Sequence, residues 1–244
     1  MQYSFGSGVL FGRSLNSNTP TPVRFGALQG VSIDIAFSTK ELYGQYQFPL
    51  ALGRGTGKIT GKADFAQLNA QAYNDLFFGL SNPSTGEVKT AVAESQTVTA
   101  NIVTVTNAAN FASDLGVVRA SDGAIYTRVA ANAVGLQYVC NETSGVYTFN
   151  ASQNAVAVAV SYTFNDSANG KKISITNQLL GNSPQFLAVF TESFNGKQVT
   201  MVLNACMSSK LTLATKLEDF TIPSFDFQAF ADAAGNIGTL STDE

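Results

Sequence analysis

The sequence predicts a mainly β protein: a β-sandwich or barrel core flanked by one α-helix, with a small immunoglobulin-like β-sandwich inserted into it. Three observations carry this reading. Several stretches alternate apolar and polar residues with period two, as half-buried strands do. One stretch, within 53–79, winds into an amphipathic helix instead. Between 87 and 166 the texture changes to short Val/Ala/Thr runs broken by Asn-, Ser- and Gly-rich turns.

In chain order, 31–37 reads Val-Ser-Ile-Asp-Ile-Ala-Phe, a strand. Tyr43, Tyr46 and Phe48 follow among Gly44, Gly53 and Gly55. They read as the arms and tip of an extended hairpin over 40–62, with Arg54 and Lys58 near the tip. The helix is expected over 64–78, with Asp64 as its cap, Gln67 as the capping-box partner and Gly79 as its stop. Phe65, Leu68, Ala72, Tyr73, Leu76 and Phe77 share one stripe, which Asn69 interrupts. Gln67, Gln71 and Asn74 face away, and Phe78 lies off the stripe. One such helix cannot bury its face alone, so it must lie on a sheet.

The middle offers strands at 98–105, 125–129, 146–149 and 156–164, with turn-rich stretches at 81–86 and 165–170 marking its ends. It is shorter than an immunoglobulin domain and has no tryptophan, so the likeness is one of architecture. The expected division is a discontinuous core, 1–86 and 167–244, around an insert at 87–166. Late in the chain, 172–176 and 209–213 alternate. The run 186–194 meets Asn195-Gly196, a strong hairpin signal, and returns through 197–203. Phe220, Phe225, Phe227 and Phe230 read as core or interface, with core the preferred reading.

Chemistry is sparse. The chain has no histidine, which removes the commonest general base and metal ligand and rules out a Ser-His-Asp or Cys-His site. The run Gly53-Arg54-Gly55-Thr56-Gly57-Lys58 fails as a phosphate loop, since Leu52 stands where a glycine is needed and Ile59 where Ser or Thr is needed. A dinucleotide pattern starting at Gly55 fails at Thr60. Its glycines read as a flexible hairpin that lets backbones approach. Glu218-Asp219 and Asp243-Glu244 are the adjacent acidic pairs, and nothing around them suggests a glycosidase. No catalytic, cofactor-binding or metal-binding residue is assigned, and no enzyme is expected.

Charged residues are 13% of the chain, about half the usual share, and the net charge is −3. That balance argues against a basic grip on nucleic acid. It suits permanent contact between copies. Cys140 and Cys206 fall in different expected domains and read as two separate buried thiols. No signal segment and no membrane-length apolar run is present, so synthesis in a cytoplasm and no membrane insertion are expected. The sequons at Asn141, Asn150 and Asn165 then carry no meaning.

Three strings carry a resemblance: ELYGQYQFPLALGRGTGKITGKADFAQLNAQAYNDLFFG from Glu41, GKKISITNQLLG from Gly170, and NACMSSKLTLATKLEDFTIPSFDFQAFADAAGNIGTL from Asn204. They resemble the tail tube proteins of long-tailed, siphovirus-like bacteriophages, over most of 25–80 and 170–240 and not over the insert. The resemblance implies a β-sandwich-like core with one helix and a long hairpin. It implies six copies closing a ring, and rings stacking into a tube through which double-stranded DNA passes during ejection. Tape-measure and tail-terminator or tail-tip proteins would be partners, no cofactor would be needed, and the protein would reside in the virion. On this reading Tyr43, Tyr46, Phe48, Arg54, Lys58 and Phe78 are candidates for contacts between rings or subunits. Asp34 and Glu41 are candidates for an acidic lumen, and the insert is an outward decoration.

Two other classes stay open. The insert could be a glycan- or cell-surface-binding module, although Tyr126, Tyr138, Tyr147 and Tyr162 sit in strand patterns that suit packing. The chain could equally be a capsid decoration protein.

Overall fold

A computed structural model describes residues 3, 5–16, 20–67, 69–80, 83–215 and 217–243. Leu68 of the helix stripe, Ser81 and Asn82 of the turn-rich stretch, and Glu244 lie outside these. The protein is mainly β: among the described residues 58% lie in strands, with one nine-residue helix and three sheets of which none closes into a barrel. Its contacts divide it into two compact units, Met1–Pro83 with Ile173–Glu244, and Ser84–Lys172.

The first unit begins with β1 (Val9–Ser14), β2 (Val23–Arg24), β3 (Leu28–Tyr43), β4 (Pro49–Phe65) and α1 (Ala70–Tyr73), which continues as a π-turn, Asn74–Phe78. The second unit holds β5 (Ser84–Thr97), β6 (Ile102–Thr104), β7 (Phe111–Arg119), β8 (Thr127–Arg128), β9 (Gln137–Asn141), β10 (Val146–Phe149) and β11 (Ala157–Lys172). The first unit resumes with β12 (Gln185–Phe194), β13 (Lys197–Thr212), β14 (Ser224–Phe230) and β15 (Gly238–Thr242).

In the first unit eight strands form one antiparallel sheet in the order β2-β1-β12-β13-β14-β4-β3, with β15 also paired to β13. One face carries the core. Phe65, Phe186, Phe225, Phe227, Leu10 and Leu203 are buried there, and Leu76 of the helical segment lies over them. Gly12 leaves room for Leu76, since a Cβ there would stand 2.6 Å from it. The Ser208 hydroxyl donates to the Leu76 carbonyl at 2.8 Å. The β12–β13 turn is the expected one: Asn195 and Gly196 have φ of 51° and 78°, and the left-handed pair matches the twist of the strands.

The helix starts later than its sequence signal suggests. Asp64 is in β4, level with Ser224, and Phe65 pairs with Leu28 and is core. The sheet claims the would-be cap. Gln67 is likewise no capping partner, its N–H donating to the Gly26 carbonyl. Asn69, which interrupts the apolar stripe, is the cap, accepting from the N–H groups of Gln71 and Ala72. Gly79 does end the helix, in the left-handed conformation, its N–H donating to Asn74. The π-turn spreads five residues over one turn and swings Asn74 inward. Asn74 is therefore buried rather than outward-facing, with its amide donating to the Leu80 carbonyl at 3.0 Å.

In the second unit a three-stranded sheet, β5-β11-β7, and a four-stranded sheet, β6-β10-β9-β8, share one core of valines and tyrosines. Strands β5, β7 and β9 are additions to the sequence reading. The stretch 165–170 is no terminal turn. It is a bulge inside β11, held by Asp166, whose carboxylate accepts from the N–H groups of Ala168 and Asn169 and from Lys89 at 2.6 Å. Residues 84–86 of the other turn-rich stretch are likewise strand, and Ser84 pairs with Lys172. The run 172–176 is strand only at Lys172, and 209–212 is the end of β13, with Leu213 just past it.

Candidate functional site

Strands β3 and β4 pair from Leu28↔Phe65 to Tyr43↔Pro49, but β14 pairs β4 only over 59–64. Beyond Ile59, among the described residues, the two strands continue as a ribbon hydrogen-bonded only to each other, roughly 30 Å of it at ~3.3 Å per residue. A two-stranded ribbon is marginal by itself in water. This one keeps the sheet's apolar face going after the core beneath it has ended. Val31 packs on the core; Ile35 and Phe37, next along the same face, are exposed.

The glycine run lies in this ribbon, and its role differs from the flexible-hairpin expectation. Gly53, Gly55, Gly57 and Gly61 are strand residues of β4, and the tip is 44–48. The glycines clear space for side chains from neighbouring strands. Phe37 lies over Gly57, where a Cβ would meet its ring at 2.8 Å, and Phe227 lies over Gly61. Arg54 therefore stands in the arm, away from the tip, with its guanidinium 4.2 Å from the centre of the Phe37 ring. A cation over an aromatic face in that range is attracted by the ring's quadrupole.

The tip gathers three candidates, Tyr43, Tyr46 and Phe48, and adds Leu50 and Leu52, which sequence reasoning passed over. Tyr46, Phe48 and Leu50 are 72%, 80% and 68% exposed. The missed signal is Phe48-Pro49-Leu50-Ala51-Leu52, an alternation that marks a strand with one face to cover. The Tyr43 hydroxyl donates to the Glu41 carboxylate, and that bond holds the phenol above its ordinary value. Ser38 and Thr56 bridge the arms at 3.1 Å.

Asp34 and Glu41 do not share a face. Asp34 is level with Thr60 on the polar side, in a groove lined also by Lys58, Lys62 and Asp226. Glu41, seven residues on in the same strand, lies by alternation on the side of Phe37, across from Leu52. The polar side thus interleaves charges of both signs. Lys62 pairs with Asp64 at 3.1 Å, and among the described residues neither Arg54 nor Lys58 has a carboxylate within ion-pair distance. Phe78 is half-buried at the end of the π-turn, edge-on to Phe77, and does not join the ribbon group. Of the four late phenylalanines, Phe225 and Phe227 are buried, Phe230 is half-buried, and Phe220 is exposed.

The insert's tyrosines are core. Tyr126, Tyr138, Tyr147 and Tyr162 are each no more than 3% exposed. Tyr138 and Tyr147 donate to Asp114 at 2.6 and 3.0 Å, Tyr162 to Glu94 at 2.5 Å, and Tyr126 to Gln153 at 2.6 Å. Cys140 and Cys206 are buried free thiols, and burial pushes them up to about 11 and about 12. Among the described residues no three metal-ligating side chains cluster, and no helix is long and apolar enough to cross a membrane. No protein-family model matches the sequence, and no curated protein matches it.

Proposed function

We propose that this chain is a structural virion protein. Six copies close a ring, and rings stack into the tail tube of a long-tailed bacteriophage, a passive conduit for double-stranded DNA. The observation that carries the reading is the β3–β4 ribbon, which extends past its own core with an apolar face and an aromatic tip uncovered. Exposed apolar surface of this kind marks a binding site, and other copies of the chain would cover it. The outer edge of β3 is also open, and pairing edges around a ring removes the hazard of an unpaired strand. The strings that resemble tail tube proteins include the tip and the β4 arm of this ribbon.

On this reading the helix-covered face of the sheet turns outward and the polar face lines the lumen. Asp34 and Asp226 beside Lys58 and Lys62 give a lining with charges of both signs in place of the acidic one expected. Alternating charge denies the phosphate backbone a continuous cationic track to hold. The second unit decorates the exterior. Tape-measure and terminator or tip proteins would meet the tube at its ends.

The test is negative-stain electron microscopy of the purified protein at increasing concentration. Hollow rings or tubes with six-fold end views are expected. Separate single particles at every concentration, persisting when preformed tail tips are added as initiators, overturn the proposal.

A further inference from the structure

The first unit exposes a second apolar group, at the end of the sheet opposite the ribbon tip. Strand register places it. Thr212 of β13, Ser224 of β14 and Asp64 of β4 are level with one another, so the connection between β13 and β14 caps the end of the sheet remote from residues 44–48. From Pro49 to Asp64 the chain runs in one extended strand, about 50 Å at ~3.3 Å per residue. In the connection Leu217 and Phe220 are 92% and 85% exposed, with Leu213 also uncovered. These side chains do not turn back onto the core, though Phe225 a few residues on is fully buried.

We infer that the connection between β13 and β14 is the receiving surface for the ribbon tip of a second copy. This rests on the assembly proposed above and names the partner surface within it. Three observations select that occupant. Both surfaces are apolar and exposed, so each offers what the other lacks. Their charges are complementary on balance: Lys40 and Arg54 stand on the two arms behind the tip and outnumber Glu41, whereas the connection sets Glu218 and Asp219 against Lys216. Glu41, the acidic residue on the ribbon arm, is engaged by Tyr43. Finally, the two surfaces sit at opposite ends of one sheet. A tip-to-tip contact would set cations against cations and stop at two copies. A tip-to-connection contact joins unlike surfaces, leaves a free tip and a free connection at every step, and repeats along an axis.

The length of the sheet makes the test specific. A cysteine at Gln47 in the tip cannot reach a cysteine at Thr215 in the connection of the same chain. A disulfide between the two positions must therefore join different copies, and the native thiols are buried. Under mild oxidation of the assembled protein, the double variant Gln47→Cys/Thr215→Cys is expected to give a ladder of covalent oligomers on non-reducing gels. An equimolar mixture of the two single variants should stop at dimers, and each single variant alone should stay monomeric. Electron microscopy of the same samples separates the two levels of failure. Normal tubes without the ladder, or tubes in which Gln47→Cys links only to itself, overturn the receiving surface and leave the tube. Wild-type protein that never assembles overturns both.

Discussion

The two units bury different aromatic residues, and the choice separates a finished surface from an unfinished one. The second unit packs tyrosines whose hydroxyls end on Asp114, Glu94 and Gln153. Asp114 also accepts the Gly116 N–H at 2.9 Å. Directional bonds of this kind inside a low-dielectric core specify one arrangement, and each is expensive to leave unmade. The first unit packs phenylalanines, which bury area without direction: Phe25, Phe65, Phe186, Phe225 and Phe227 touch one another in tilted and edge-on pairs. Among the described residues, every exposed aromatic side chain belongs to that same first unit. One unit satisfies its own aromatic and polar groups internally. The other leaves aromatic groups uncovered, whereas the apolar side chains the second unit exposes, Ile125, Val92 and Val134 among them, are aliphatic.

The sharpest way to break this contrast is to remove each part in turn. Replacing residues 84–172 by a short flexible linker should leave assembly intact, because the uncovered aromatics all remain. Shortening the ribbon by replacing residues 40–54 with a two-residue turn should abolish assembly while the eight-stranded core still folds. Sedimentation of assembled material reads the first outcome and circular dichroism the second. Loss of assembly on removing the second unit would mean that the apolar surfaces of the first are not sufficient.

The next largest effects lie in the cores. Phe227→Ala opens a cavity between Phe186 and Phe225 and should cost the first unit about 3–5 kcal/mol. Tyr147→Phe keeps the ring and removes one of the donors to Asp114, and should cost the second unit about 1–3 kcal/mol. Each unit carries its own reporter. Both thiols are buried and held above their ordinary range, and only the thiolate is nucleophilic. In a urea titration near neutral pH, labelling of Cys206 should shift to lower denaturant in Phe227→Ala, and labelling of Cys140 in Tyr147→Phe. If each variant shifted both reporters equally, the units would not be separate folding units.

What the sequence conveys about this fold is chiefly what is local. The Asn195-Gly196 turn, the stop at Gly79 and the alternation of 31–37 and 186–194 are decided by residues near in sequence, and all are present. The helix start went astray because a capping signal at Asp64 competes with a ladder to Gly30 and Ser224, partners far along the chain. The glycine run misled for the same reason. A glycine that makes room for Phe37 or Phe227 looks identical to one that supplies a flexible turn until the neighbouring strand is in place. The bulge at 165–170 has the composition of a loop because Asp166 satisfies its backbone within an otherwise continuous ladder. As for the candidate site, the aromatics at the tip were legible as a group. That the face beneath Phe37 and Leu52 has no core under it was not, since alternation reveals a face to be covered and is silent on what covers it.

The smallest expected effect is a difference in acid response. Asp122 and Asp166 of the second unit are held below the ordinary carboxylate value, Asp122 at about 2 by its bond to Arg119 and Asp166 by its bond to Lys89. Glu94 is also lowered: burial works against its charge, but bonds from Tyr162, Gln96 and Thr106 outweigh it. A carboxylate with a depressed folded-state value contributes stability above its unfolded value of about 4 and loses it as pH falls through the folded one. The loss should therefore appear between about pH 4 and pH 2. It should be modest, because Asp122 and the Lys89 partner of Asp166 are open to solvent screening. In the first unit Asp232 is lowered, chiefly by the N–H of Asn236, and a single such carboxylate should move its transition less than three do. Calorimetry across that window should show the second unit's melting temperature falling faster than the first unit's. Asp166→Asn sharpens the test. The amide oxygen can still accept from Ala168 and Asn169 and hold the bulge, but the group no longer titrates. The variant should melt lower than wild type at neutral pH, where the ion pair to Lys89 is lost, and the gap should narrow as pH falls from about 4 toward the depressed value of Asp166. A gap that stayed constant across the window would locate the stabilisation in the bulge geometry and not in the charge.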